Sequence, residues 1–281
     1  MTIQQILLGV GGASGGQQEY TSAGTYTWTA PAGVTSISVV AVGSGAATGN
    51  YFINVPGGMN MFQGGGGGAL AYKNNITVVP GNNYEVIVSA VGTALGVDGG
   101  AYSQFRYLGT IHVRAGSANQ NSATTGGGPA GLRLYGTGYP GGAGGANTDN
   151  TTNMGTASGA GAGGYGGSGG DGLSRLNANR NPRAGNPGAG GAGGGGGIGW
   201  PYTSGGGGGG VGLQGQGANG AGGSNGGGGG GGGSGGTAGG SSNGGVHGGG
   251  GGYWGGGGIG GVRIIWPGDT RQFPSTQTAD V

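Results

Sequence analysis

The chain has 281 residues, 92 of them glycine, against an average glycine content of roughly 7%. Apolar residues make up 32%, charged residues 6%, and cysteine is absent, so neither an ordinary core throughout nor disulfide or zinc staples can hold it together. The net charge of +2 rests on the single lysine Lys73 and scattered arginines, which excludes the clustered basic surface that phosphate binding requires and, with it, a nucleic-acid partner.

In chain order, Met1 to Val10 is apolar but lacks a basic start and is too short for a secretory signal, and no window reaches the length of a membrane span. The first 17 residues are expected to form a contact segment or to complete a sheet, in a protein released in the cytoplasm. Glu19 to Thr29 alternates threonine with aromatics and predicts a half-buried strand pair turning at Ala23-Gly24. Ser36 to Val42 reads as a buried strand. Asn74 to Val79 predicts a strand entering a turn at Pro80-Gly81, followed by a strand over Tyr84 to Ser89. Ser103 to Tyr107 and Thr110 to Arg114 flank Leu108-Gly109 as a hairpin. At the far end Gly261 to Trp266 is a strand too short to stand alone, so it is expected to return to the early β-segments and pin the intervening sequence at both ends.

That intervening tract, 126–260, carries pure glycine runs at Gly193 to Gly197, Gly205 to Gly210, Gly226 to Gly233 and Gly248 to Gly252, with a smaller echo at Gly64 to Gly68. Two readings stand. Gly/Ser-rich sequence behaves as a flexible linker, whereas polyproline-II-type helices with three residues per turn can pack closely and satisfy one another's backbone groups when glycine leaves room. Apolar residues at the run ends (Ile198, Trp200, Tyr202, Val211, Leu213, Tyr253, Trp254, Ile259) and the scarcity of charge favour order. The fold expected is therefore all-β with almost no α-helix: a small antiparallel β-sandwich over 18–125, completed by 261–267, an inserted bundle of packed polyglycine-II helices, and a C-terminal tail over 268–281.

Glycine abundance strips glycine motifs of meaning. Gly12 to Gly16 and Gly166 to Gly170 both match G-x-S-x-G, but Gly166 to Gly170 follows no hydrophobic strand and precedes no helix. Lys73 has no phosphate loop before it. His112 reads as a packed or surface histidine, His247 has no second ligand in sequence reach, and the seven acidic residues lack metal or paired-carboxylate spacing. No enzymatic role, cofactor or metal is expected. Binding remains: Trp200, Tyr202, Tyr253 and Trp254, with Tyr135 and Tyr139 behind them, are either recognition residues that stack on sugars or fill pockets, or caps of the glycine bundle.

The segments Tyr20 to Val34, Ile37 to Gly43, Gly64 to Lys73, Val79 to Val88 and Gly260 to Trp266 resemble, in that order, the glycine-rich domain of bacteriophage tail and tail-fibre proteins. The ending Arg263 to Thr278 is similar to the C-termini of structural proteins of T4-like phages. The glycine tract is similar to the distal tail-fibre adhesins of that group, whose N-terminal attachment domain this chain lacks a match for. The resemblance implies a virion structural protein, assembled in the host cytoplasm, in a tail fibre or as a surface adhesin presenting loops to a host receptor. Implied partners are other virion proteins of fibre, baseplate or capsid, a host surface glycan or outer-membrane protein, and, by analogy with fibres, two further copies in a homotrimer. Alternatives are a capsid decoration or baseplate component without a receptor role, and an ice-binding protein, which would need Thr or Ala in regular rows.

Overall fold

A computed structural model describes residues 14–53, 59–92, 101–118, 131, 133–145, 157–173, 184–198 and 205–275. The elements are β1 (Gly16–Tyr20), β2 (Gly24–Thr29), β3 (Ser36–Val42), β4 (Gly49–Ile53), β5 (Met59–Gln63), β6 (Leu70–Thr77), β7 (Asn83–Val88), β8 (Tyr102–Tyr107), β9 (Thr110–Gly116), β10 (Arg133–Tyr135) and β11 (Gly261–Trp266). Among the described residues there is no helix; the fold is all-β.

Two antiparallel sheets carry it: a four-stranded sheet in the order β1-β11-β3-β6 and a five-stranded sheet in the order β10-β9-β8-β7-β2. Their facing side chains share one apolar core, with Ile37, Val39, Ile76, Val262 and Ile264 from the first sheet meeting Trp28, Tyr84, Val86, Phe105 and Val113 from the second. The Trp28 ring lies 5.6 Å from Tyr84 and 5.9 Å from Trp266, spanning the gap between the layers. The return strand does what its length requires: β11 inserts between β1 and β3, with Glu19 and Val40 opposite Arg263 on either side.

The strand pair expected over Glu19 to Thr29 is not a hairpin. β1 joins β11 in one sheet and β2 joins β7 in the other, so the chain crosses between layers at 21–23. The same happens at Pro80-Gly81, where β6 belongs to the four-stranded sheet and β7 to the five-stranded one. Alternation identifies which face of a strand is buried; it carries no information on which neighbour supplies the ladder bonds. The expected turn at Leu108-Gly109 does join a hairpin, β8–β9, with both residues at positive φ (44° and 81°), the conformation that a tight two-residue hairpin turn requires. The β4–β5 hairpin was not anticipated, although Tyr51-Phe-Ile and Met59-Asn-Met-Phe flank Pro56-Gly57-Gly58, a recognisable turn signal.

β3 and β11 are buried along nearly their whole length because the four-stranded sheet is covered on both faces. Its second face, formed by Val40, Val42, Leu70, Tyr72 and Ile265, packs under Ala162, Tyr165, Val211 and Leu213 from the glycine-rich region and under Phe273. Phe273 is fixed by Asn74, whose amide donates to the Phe273 carbonyl at 2.6 Å and whose side-chain oxygen accepts from the Phe273 N–H at 2.9 Å.

The glycine-rich region is a hydrogen-bonded lattice with a period of three. Along 158–164, Ser158, Gly161 and Gly164 donate to the carbonyls of Leu173, Gly170 and Gly167; Gly159 and Ala162 donate to Gly206 and Gly209; Ala160 and Gly163 donate to Gly65 and Gly68. Along 206–211 the same rotation recurs, with Gly206 and Gly209 bound to Gly197 and Gly194, Gly207 and Gly210 to Gly240 and Thr237, and Gly208 and Val211 to Gly250 and His247. Each run thus touches three neighbours in turn. Gly64 to Gly68, the expected echo inside the β-domain, belongs to this lattice: Gly64 and Gly67 donate to Gly145 and Gly142.

A methyl group has no room where these runs meet backbone to backbone. A Cβ on Gly208 would collide with the Ala160 carbonyl, whereas one on Gly256 would find its nearest neighbour, the Asn243 side-chain oxygen, at 4.0 Å. Gly208→Ala should therefore lower stability by roughly 1–3 kcal/mol or prevent folding, and Gly256→Ala should change it by less than about 0.5 kcal/mol. Urea melts of the two variants check the contrast, and equal effects would contradict the packing described.

Candidate functional site

The lattice grows out of the four-stranded sheet. β3 runs on into 43–48, the run 64–69 leads into β6, and 255–260 leads into β11, so three strands extend beyond the sheet as glycine runs. At their far end the hydrogen bonds link Gly64 to Gly145, Gly145 to Ser158, Gly159 to Gly206, Gly206 to Gly197, Gly197 to Gly227, Gly252 to Ser242 and Thr48 to Gly255. The connections 48–64, 145–157, 173–184, 198–205, 223–227, 240–244 and 252–255 consequently all leave from one end of the lattice. The connections at 164–167, 189–192, 212–218 and 232–236 lie at the opposite end, linked through Gly164 to Gly167, Gly166 to Gly190, Ala192 to Ala189 and Gly212 to Gly232.

Tyr253 and Trp254 occupy a tight turn at the loop-bearing end. The Tyr253 N–H donates to the Gly205 carbonyl at 2.9 Å, and the Gly255 N–H closes the turn on the Gly252 carbonyl at 2.9 Å. Thr48 clamps it from below: its hydroxyl contacts the Gly252 carbonyl and accepts from the Gly255 N–H at 3.1 Å. The Asn243 side chain accepts from the Gly256 N–H at 3.0 Å. The two rings meet edge to face, 6.3 Å apart at 88°. Trp254 is 65% exposed and sits at φ 56°, a left-handed conformation that costs a bulky residue of order 1–3 kcal/mol unless its surroundings impose it. Thr48 and Asn243 supply that constraint, and neither was singled out by sequence; their role depends on chain segments some two hundred residues apart in one case.

The six expected recognition residues divide. Trp200 and Tyr202 lie outside the described residues, but Ile198 and Gly205, which flank them, pair as a β-bridge beside the Tyr253 turn. Tyr135 and Tyr139 stand elsewhere, by the sheets: Tyr135 ends β10, opposite Arg114 of β9, and Tyr139 exchanges backbone hydrogen bonds with Leu70. Both are exposed. The structure thus brings Tyr253 and Trp254 together with the loop-bearing end and separates Tyr135 and Tyr139 from them.

A polar cluster centred on the buried Arg263 and Tyr165 lies between the four-stranded sheet and the lattice and reaches the exposed edge strand β1. Arg263, fully buried on β11, pairs with Glu19 at 3.2 Å, donates to the Leu213 carbonyl at 3.3 Å and contacts the Gln17 side-chain oxygen. Burial lowers the Arg263 pKa, opposed by the Glu19 charge. Tyr165, buried beside it, donates its hydroxyl to the Gly212 carbonyl at 3.0 Å and accepts from the Gly215 N–H at 3.2 Å, and burial raises its pKa well above the ordinary value. Leu213, Gly212 and Gly215 tie the 212–215 turn to Arg263 and Tyr165, while Glu19 and Gln17 tie the edge strand β1 to β11, so the cluster acts as a clamp.

Among the described residues no group of three His, Asp or Glu side chains could hold a metal ion, and no helix is long and apolar enough to cross a membrane. Ser168 of the second G-x-S-x-G match sits exposed in the turn between the runs 158–164 and 169–173. His112 packs 6.0 Å from Phe105, and His247 takes a left-handed φ of 61° at the edge of the lattice. No protein-family model matches the chain, and no curated protein matches it in sequence.

The two histidines make stability depend on acidity. Burial lowers both pKa values, with Lys73 adding to the effect at His112. Below about pH 6.5 the unfolded chain takes up protons that the folded chain does not, so stability held above that pH is lost as the pH falls toward the folded-state values. Urea midpoints should drop between pH 7.5 and pH 5, and the drop should shrink in a His112→Gln, His247→Asn double variant, asparagine being tolerated at positive φ. An undiminished drop would assign the effect to other groups.

Proposed function

We propose that the chain is a structural protein of a phage virion, a tail-fibre or surface adhesin whose glycine-rich region is a bundle of packed polyglycine-II helices presenting loops to a host receptor. The observation that carries the reading is that the described flanks of seven connections lie at one end of the lattice, the end that also holds the exposed Trp254. A polyglycine-II helix turns once every three residues and makes no internal hydrogen bonds, so its N–H groups must find three neighbours in rotation; the period along 158–164 and 206–211 has that form. Such a bundle satisfies its own backbone and leaves the connections free to vary without disturbing the framework, which suits receptor recognition.

Trp254 is the residue through which the end would grip its target, because a rigid exposed indole contributes large contact area at small entropic cost. The ordering itself is tested by amide hydrogen exchange: residues 158–164, 193–197 and 206–212 should exchange slowly, and fast exchange throughout would mean a linker in place of a bundle. Recognition is tested with Trp254→Gly, which removes the indole and relieves the left-handed backbone together. The variant should melt at or above the parent temperature while losing about 2 kcal/mol of binding to host cells and most of its ability to block phage adsorption. Gold labelling on intact virions should place the chain at a fibre end; labelling spread over the capsid would favour the decoration role instead.

A further inference from the structure

The outer face of the five-stranded sheet, away from the shared core, carries a second constellation. The ladder registers align Thr25, Ile87, Gln104, Arg114 and Tyr135 in one row crossing all five strands. At the usual strand spacing of about 4.8 Å the row is about 19 Å long, the span of a short oligosaccharide. Arg114 stands at its centre of charge: its guanidinium lies 4.4 Å from the Tyr102 ring centroid and 5.6 Å from that of Tyr135, and its Nε donates to the Gln104 side-chain oxygen at 2.8 Å. Gln104 is only 4% exposed despite its place on the outward face. Arg114 is thereby held by two rings and one hydrogen bond. Among the described residues no carboxylate pairs with it, and Glu85, on the same face, is bound to Arg106 at 2.6 Å.

A stacked, pre-oriented guanidinium without an acidic partner is matched to a carboxylate, which takes two parallel N–H donors. Flanking tyrosines offer flat apolar faces to a sugar ring, and the threonines Thr25, Thr27 and Thr29 at the other edge are exposed hydroxyls. We propose that this face binds a carboxylate-bearing oligosaccharide, with Arg114 pairing the carboxylate, Tyr135 stacking against the adjacent ring, and Gln104 positioning Arg114. This surface is distinct from the Tyr253-Trp254 turn and does not depend on the virion reading.

Isothermal titration of the whole chain with trigalacturonate, 3′-sialyllactose and a neutral galactotriose tests it. At least one acidic sugar should bind about tenfold or more tighter than the neutral one, equivalent to about 1.4 kcal/mol, and should weaken with added salt. Arg114→Lys should cost about tenfold by losing the planar fork, Tyr135→Ala should cost a similar factor, and Tyr135→Phe should retain binding. Thermal melts establish that each variant is folded. Trp254→Gly should leave this binding unchanged, so that failure of the adhesin reading and failure of this one give different results. Absence of binding by both acidic sugars, equal affinity for the neutral sugar, or an undiminished Arg114→Lys variant would overturn the proposal.

Discussion

Every buried peptide group must be hydrogen-bonded, and in this chain the obligation is met by backbone meeting backbone in three directions. A β-strand offers its donors and acceptors in one plane, so it satisfies two neighbours and leaves its faces to side chains. Along 158–164 and 206–211 successive donors turn to three different neighbours in rotation, so each of these runs needs a neighbour on three sides. Any side chain pointing toward such a neighbour would break the contact. Glycine abundance follows from that geometry, and the sparse exceptions obey it: Ala162 and Val211 direct their side chains toward the four-stranded sheet, where apolar neighbours await them.

The four-stranded sheet mediates between the two kinds of order. One face meets the five-stranded sheet through aliphatic and aromatic side chains, and the other meets the lattice through Tyr165, Val211, Leu213 and Phe273. Its strands also continue directly into glycine runs, so ladder register and lattice register are set together by β3, β6 and β11. The buried Arg263 has a place in this arrangement. It projects from β11 toward the lattice, and its donors reach Leu213, Gln17 and Glu19, tying the 212–215 turn and the edge strand β1 to the central strand. Arg263 is the buried member of its charge pair and Glu19 the solvent-facing one, so loss of Glu19 would leave a buried cation without its acidic partner, which is costly.

Function, on this reading, is distributed over surfaces that the framework keeps apart. The loop-bearing end holds Trp254 in a strained backbone fixed by Thr48 and Asn243, while the open sheet face holds Arg114 between rings. That separation lets connections vary while the lattice persists.

Much of the sheet framework was legible in the sequence. The largely apolar Ser36 to Val42 marks a buried strand, Leu108-Gly109 marks a hairpin turn through the glycine, which takes positive φ at no steric cost, and the isolated position of β11 requires that it return. Composition also limited the glycine tract to two states, linker or close-packed bundle. What the tertiary structure alone decided is partnership. Alternation could not tell that β1 and β2 belong to different sheets, that Gly64 to Gly68 bonds with Gly142, Gly145, Gly248 and Gly251, or that Tyr135 faces Arg114 and stands apart from Trp254. The physical reason is the same in each case: a local pattern records which groups a segment must bury or satisfy, whereas the identity of the satisfying partner is set by chain closure over long sequence separations, and glycine, lacking a side chain, leaves no local record of the neighbour it touches.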